Sequence, residues 1–133
     1  MYQVVIIKSR PDFRVIIDLV FGTNRNVDSE GNSNPVYSRE WTNLYIKDRE
    51  SESPSIEIAA ENSIFSIESE SANFEELVAL YLFLYCGSKI SCNGESLGGE
   101  YIEKLKLKYI TQLGVAEKSV WHQSSSSCPY PNA

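Results

Sequence analysis

The residues of this chain with the most chemical potential are its carboxylates. The stretch DRESESPSIEIAAENSIFSIESESANFEE, Asp48 to Glu76, holds nine of the 18 acidic side chains and one cation, Arg49. Paired carboxylates can divide general acid and base roles, or ligate a hard cation, when a ligand set of fixed spacing accompanies them. Here nearly all fall on strand-like runs or loops with no accompanying His or Asn set, so what remains to them is electrostatic work. Segments 1–47, 48–76 and 77–133 carry 6 basic and 5 acidic, 1 and 9, and 5 and 4 residues respectively, so the net charge of -6 is a middle segment at -8 flanked by two segments at +1. Such a field repels a phosphate backbone and steers a basic protein partner toward it, so nucleic acid is not an expected ligand.

Other chemistries have weaker footing. His122 is the single histidine and sits at the edge of the Ser-rich C-terminal segment, distant in sequence from any obvious nucleophile partner. Cys86, Cys92 and Cys128, with His122, are zinc-type ligands, yet neither cysteine pair has the spacing of about two to four residues found in structural sites. SLGGE at 96–100 offers glycines before a helix but neither a Walker lysine nor a dinucleotide fingerprint. No catalytic residue, metal or cofactor is therefore expected.

These side chains need elements to carry them. A chain of 133 residues, 42% apolar, can fold as one domain without a disulfide or metal staple. YQVVIIK (2–8) and FRVIIDLVF (13–21), joined by SRPD, read as a β-hairpin, and GTNRNVDSEGNSNP (22–35) as a long exposed loop. VYSREWTNLYIK (36–47) is a third strand, and SIEIAAE with IFSIESE a fourth and fifth around a turn at Asn62-Ser63. A helix follows to Cys86, with Asn73 as N-cap, Glu76 completing a capping box and Gly87 in the C′ position. Its body is apolar on every side, which places Leu77, Leu80, Tyr81 and Leu84 in the interior, covered on both flanks. Asn93-Gly94 marks a hairpin, and residues 100–113 form an amphipathic helix ending at Gly114. The expectation is an α+β fold, an antiparallel sheet of about five strands with two helices packed on one face, occupying 1–121. Residues 122–133, rich in Ser and Pro, are expected to form a flexible tail.

The longest apolar run, LVALYLFLYC at 77–86, is half the length of about 20 residues that a bilayer requires, so no membrane partner is expected. No basic region precedes the apolar N-terminal run as a secretory signal would require. An odd number of cysteines at no framework spacing favours reduced thiols and a cytoplasmic protein.

A turn at Asn62-Ser63 pairs Ala60 with Phe65 and Ile58 with Ile67 on the buried face, leaving Glu57 opposite Glu68 outside. Glu57 and Glu68, helped by Asp48, Glu50, Glu52, Glu61 and Glu70 and flanked by Trp41 and Tyr45, are the expected partner-binding residues, since Tyr and Trp are frequent interface anchors. The competing reading has Lys47 or Arg14 neutralising the pair from a neighbouring strand.

In size, acidity and lack of a catalytic set the chain resembles the immunity proteins that neutralise bacterial toxin domains. The resemblance implies a monomeric, cytoplasmic, stoichiometric inhibitor of a basic toxin such as a nuclease, its carboxylates covering the surface meant for a phosphate-rich substrate. The alternatives are another interaction module, such as a phage-encoded antagonist or adaptor, or a small enzyme.

Overall fold

Alternation decides the centre of the fold. In 56–61 and 64–69 every second side chain faces inward, so two strands can bury one face and wet the other. The computed structural model, which describes residues 1–131, pairs Ala60 with Phe65, Ile58 with Ile67 and Glu57 with Glu68, the register expected from the turn. At that turn Asn62 has φ 59°, a left-handed conformation that Asn tolerates better than most residues.

Around this hairpin the described residues build a seven-stranded antiparallel sheet. The strands are β1 (Tyr2–Ile6), β2 (Val27–Gly31), β3 (Asn43–Asp48), β4 (Ile56–Glu61), β5 (Ile64–Ser69), β6 (Gly87–Cys92) and β7 (Glu95–Ser96), in the spatial order β2-β3-β4-β5-β1-β6-β7. Asn93 and Gly94 join the last two with φ 50° and 86°, the positive pair that a tight hairpin turn demands. Four α-helices, α1 (Phe13–Phe21), α2 (Ala72–Cys86), α3 (Gly99–Lys108) and α4 (Ile110–Glu117), and a 3-10 helix Val120–Gln123 complete the described residues. The class is α+β as expected, with a larger sheet and more helices.

The buried face of the sheet, with Leu44, Ile46, Ile58, Phe65, Ile67 and Val4 at its centre, packs against α2 through β1, β5 and β6 and against α1 through β3. Each such aliphatic side chain taken from water contributes about 1.5–3 kcal/mol. Helix α2 lies between the sheet and helices α1 and α3, which accounts for apolar residues all round it. Leu77, Leu80 and Tyr81 are interior, whereas Leu84 is 43% exposed near the helix end. Leu80→Ala should cost about 3 kcal/mol, as a buried large-to-small change does, and a melting temperature within a degree of wild type would contradict that packing.

Several local expectations are overturned. Residues 13–21 form a helix, not a strand. Asp12 is its N-cap, accepting from the Arg14 N–H at 3.0 Å, and Gly22 ends it at φ 92°. Arg14 and Asp18 are one helical turn apart and both buried. Within the expected loop 22–35, residues 27–31 pair with β3. The third strand begins at Asn43, and 36–42 is irregular. Ser71, not Asn73, caps α2 by accepting from the Phe74 N–H. Gly87 is extended, at φ -99°. Packing requires it to be glycine, because a Cβ there would lie 2.7 Å from Val4 Cγ1 and 2.8 Å from Phe83 Cα. The expected helix 100–113 breaks at Tyr109, and Gly114 falls inside α4.

The C-terminal segment does not fold against nothing. Ser124 is buried and donates to Asp12, Pro129 O accepts from Arg14, and the Tyr130 ring lies 5.2 Å from the Arg14 guanidinium carbon.

Candidate partner-binding face

Helices occupy one side of the sheet, and its other side carries none among the described residues. Register defines what that open side presents. Glu30 on β2 lies opposite Tyr45 on β3, Tyr45 opposite Glu57 on β4, and Glu57 opposite Glu68 on β5. With strands about 4.8 Å apart, this row of one aromatic and three carboxylates runs about 15 Å across the sheet. Glu61 lies farther along the same face of β4, and next to the row small or polar side chains, Asn43, Ala59, Ser66 and Gln3, leave it low.

The acidic stretch divides by what each carboxylate already does. Asp48 is buried and accepts from Arg25 Nη2 at 2.7 Å, the Glu50 N–H at 3.0 Å and Ser51 Oγ at 3.0 Å. The Glu50 N–H, joined by Arg25 and Ser51, holds its carboxyl below the ordinary value against the opposing effect of burial. Glu50 accepts from the Asn26 N–H at 2.8 Å and lies 3.4 Å from Arg25 Nε. Glu75 accepts from the Ser69 N–H. Glu76 is buried beneath three tyrosines and Lys108. Glu52, Glu57, Glu61, Glu68 and Glu70 are exposed and have no cation or hydrogen-bond donor among the described residues.

Two of the expected partner-binding residues are therefore withdrawn from the surface. Trp41 is fully buried, donates from Nε1 to Pro11 O at 2.8 Å and meets Phe65 edge to face. It precedes the strand, so the alternation that would have set it beside Tyr45 does not reach it. Asp48 is fixed by Arg25. Of the cations considered as neutralisers, Arg14 pairs with Asp12 on the helical side, and Lys47, exposed on the same face as Tyr45 and opposite Asp28, makes no ion pair with Glu57 or Glu68. Glu30 was missed because its strand read as loop, although Val27, Ser29 and Gly31 alternate with Asp28 and Glu30.

His122 donates from Nε2 to Ala116 O at 2.8 Å and stacks on Tyr85, and Cys86, Cys92 and Cys128 are free. Burial pushes the Cys86 thiol up to about 11. No group of His, Cys, Asp and Glu among the described residues is placed to hold a metal ion, and no described helix is long and apolar enough to cross a membrane. Comparison with protein-family models, with curated proteins and with solved structures finds no match.

Proposed function

We propose that the chain is a monomeric, cytoplasmic inhibitor of the immunity type, binding a basic toxin domain through the open face of its sheet and so neutralising it. The observation that carries this reading is Glu57 directly opposite Glu68, both exposed and neither paired with a cation among the described residues, in a row with Tyr45 and Glu30. Like charges directly opposite cost about 0.2–1 kcal/mol, which a single Lys or Thr would remove. A partner's Lys and Arg side chains offset that cost only in the complex. A nuclease domain fits, because the surface it uses for phosphates is basic and would be the one occluded.

The test is Glu57→Lys with Glu68→Lys in one protein. Two opposed lysines repel much as two glutamates do, so stability should stay within about 1 kcal/mol of wild type. The wild type serves as bait to recover the partner from the source cell. Association of the recovered protein should then be at least about tenfold slower with the double variant, and the wild-type rate should fall steeply with salt. Undiminished association, with full protection of cells from the toxin, would move the interface off this face.

A further inference from the structure

On the helical side of the sheet, α1, the turn leading into β2 and the end of α4 with the following 3-10 helix enclose a cleft of about 580 Å³. That lies within the roughly 300–1,000 Å³ range of small-molecule sites. Its walls are apolar and aromatic, with Phe13, Ile17, Val27, Val115, Val120 and Trp121. Four charged residues also line it, and they are not equivalent. Arg14 is paired with Asp12 at 2.6 Å and Arg25 with Asp48 at 2.7 Å, so each guanidinium has its own counterion, and their atoms left without a hydrogen bond, Arg14 Nη1 and Arg25 Nε, are sealed from solvent and out of a ligand's reach. Lys118 is exposed and has no ion pair among the described residues.

Asp18 is the exception. It is 6% exposed, and its Oδ2 accepts from Ser119 Oγ at 2.7 Å. Oδ1 receives no donor among the described residues, and Asp18 is one of the residues that line the cleft. A buried carboxylate with a hydroxyl for company and no cation is costly. Burial, abetted by the Asp12 charge and resisted by Ser119 and His122, raises its carboxyl above the ordinary value.

We infer that this cleft binds a small primary amine with an apolar, ring-containing body, its ammonium donating to Asp18 Oδ1 and its body lying on the Ile17, Val115 and Trp121 wall. An ammonium supplies the missing countercharge, and the net negative charge of the protein draws cations in, while the Trp121 ring, already stacked by the Arg14 guanidinium at 3.9 Å, offers the ligand apolar contact only. A carboxylate ligand would face Asp18 with like charge, and a neutral alcohol would leave it without a cation. The site is distinct from the open acidic face and stands or falls separately from the inhibitor reading.

The experiment is a titration of the full chain, followed by amide and indole NMR shifts, with benzylamine and with benzyl alcohol and benzoate as shape-matched controls. Benzylamine should give saturable shifts at the Trp121 indole and the Val115 and Val120 amides, with benzyl alcohol and benzoate binding at least about tenfold more weakly. Asp18→Asn can still accept from Ser119, and should also lose at least about tenfold in benzylamine affinity. Equal binding of benzyl alcohol or benzoate, an Asp18→Asn protein that titrates as wild type, or no saturable shift at the cleft would each overturn the site. Should Asp18→Asn fail to fold, the amine-against-alcohol comparison on wild type decides alone.

Discussion

Replacing Glu76 with Ala is expected to remove about 2–6 kcal/mol of stability, because it takes the acceptor from two buried hydroxyls at about 1–3 kcal/mol each, while the half-exposed Lys108 returns to water at little cost. Glu76 is 7% exposed. Its Oε2 accepts from Tyr2 Oη at 2.7 Å and Tyr101 Oη at 3.2 Å, and its Oε1 from Tyr109 Oη at 2.7 Å and Lys108 Nζ at 2.9 Å. One carboxylate thus ties the N-terminal part of α2 to β1 and to both ends of α3. Alanine would strand the buried hydroxyls of Tyr2 and Tyr109, where each unsatisfied group costs about 1–3 kcal/mol. Gln keeps one acceptor oxygen but turns an NH₂ donor toward two hydroxyls, so Glu76→Gln should lose less than Ala. Acid dependence separates charge from shape. Burial pushes the Glu76 carboxyl up, but donation from Lys108, Tyr2 and Tyr109 outweighs it and holds the group below its ordinary 4.5. The same contact, after burial, pushes the Tyr109 hydroxyl up to about 12. A depressed carboxyl contributes fully above its unfolded value and loses that contribution as pH falls through the folded value. Denaturant unfolding should therefore show the gap between wild type and Glu76→Ala at full size at pH 7 and narrowing below pH 4.5. A gap that stays constant down to pH 3, where carboxylates of ordinary pKa of about 4 are protonated, would assign the effect to packing alone.

The half of the fold built on strict alternation was legible because period two and a two-residue turn together leave one register. Glu57 and Glu68 follow from that register alone. The run FRVIIDLVF misled because a nine-residue segment with six β-branched or aromatic residues fits a strand or a buried helix equally well by composition. The deciding signals lay at its ends, Pro11-Asp12 before it and Gly22 after it, a cap and a stop. Reading it as a helix would also have put Arg14 and Asp18 on one face. Trp41 misled for the opposite reason, since alternation was carried past the point where the strand begins. Glu30 was hidden by its surroundings, a strand of five residues inside a Gly, Asn and Ser-rich segment. The cleft around Asp18 was illegible altogether, because Val115 to Trp121 reach α1 through tertiary packing alone.

The C-terminal serines show the same limit and set the last prediction, which concerns Asp12. Ser and Pro supply no apolar face, but a hydroxyl can satisfy a buried charge. Asp12 is fully buried, with Oδ1 accepting from the Arg14 N–H and Nε, each at 3.0 Å, and Oδ2 from Arg14 Nη2 and Ser124 Oγ, each at 2.6 Å. Arg14, itself 6% exposed, lies 3.9 Å above the Trp121 ring and donates to Pro129 O at 2.8 Å. Arg39 Nη2 holds Ser124 O at 3.1 Å and His122 O at 3.2 Å. Two arginines and one aspartate therefore bind the chain from Trp121 to Tyr130 against the start of α1. Asp12→Ala leaves a buried guanidinium without its counterion, which costs about 3–5 kcal/mol, and removes an N-cap worth about 1 kcal/mol. Asp12→Asn keeps the cap and loses the countercharge, so its loss should fall between wild type and Ala. The two contributions are thereby separated. With the anchor gone, Trp121 emission should shift to the red and proteases should cleave within 124–131 before the sheet unfolds. Truncation after Gln123 should lower the melting temperature by several degrees, because Arg14 and Arg39 lose their Pro129 and Ser124 acceptors. An Asp12→Ala protein within about 1 kcal/mol of wild type, below the cost of a broken buried pair, would mean that water replaces the carboxylate and that the segment is held by its aromatic contacts instead.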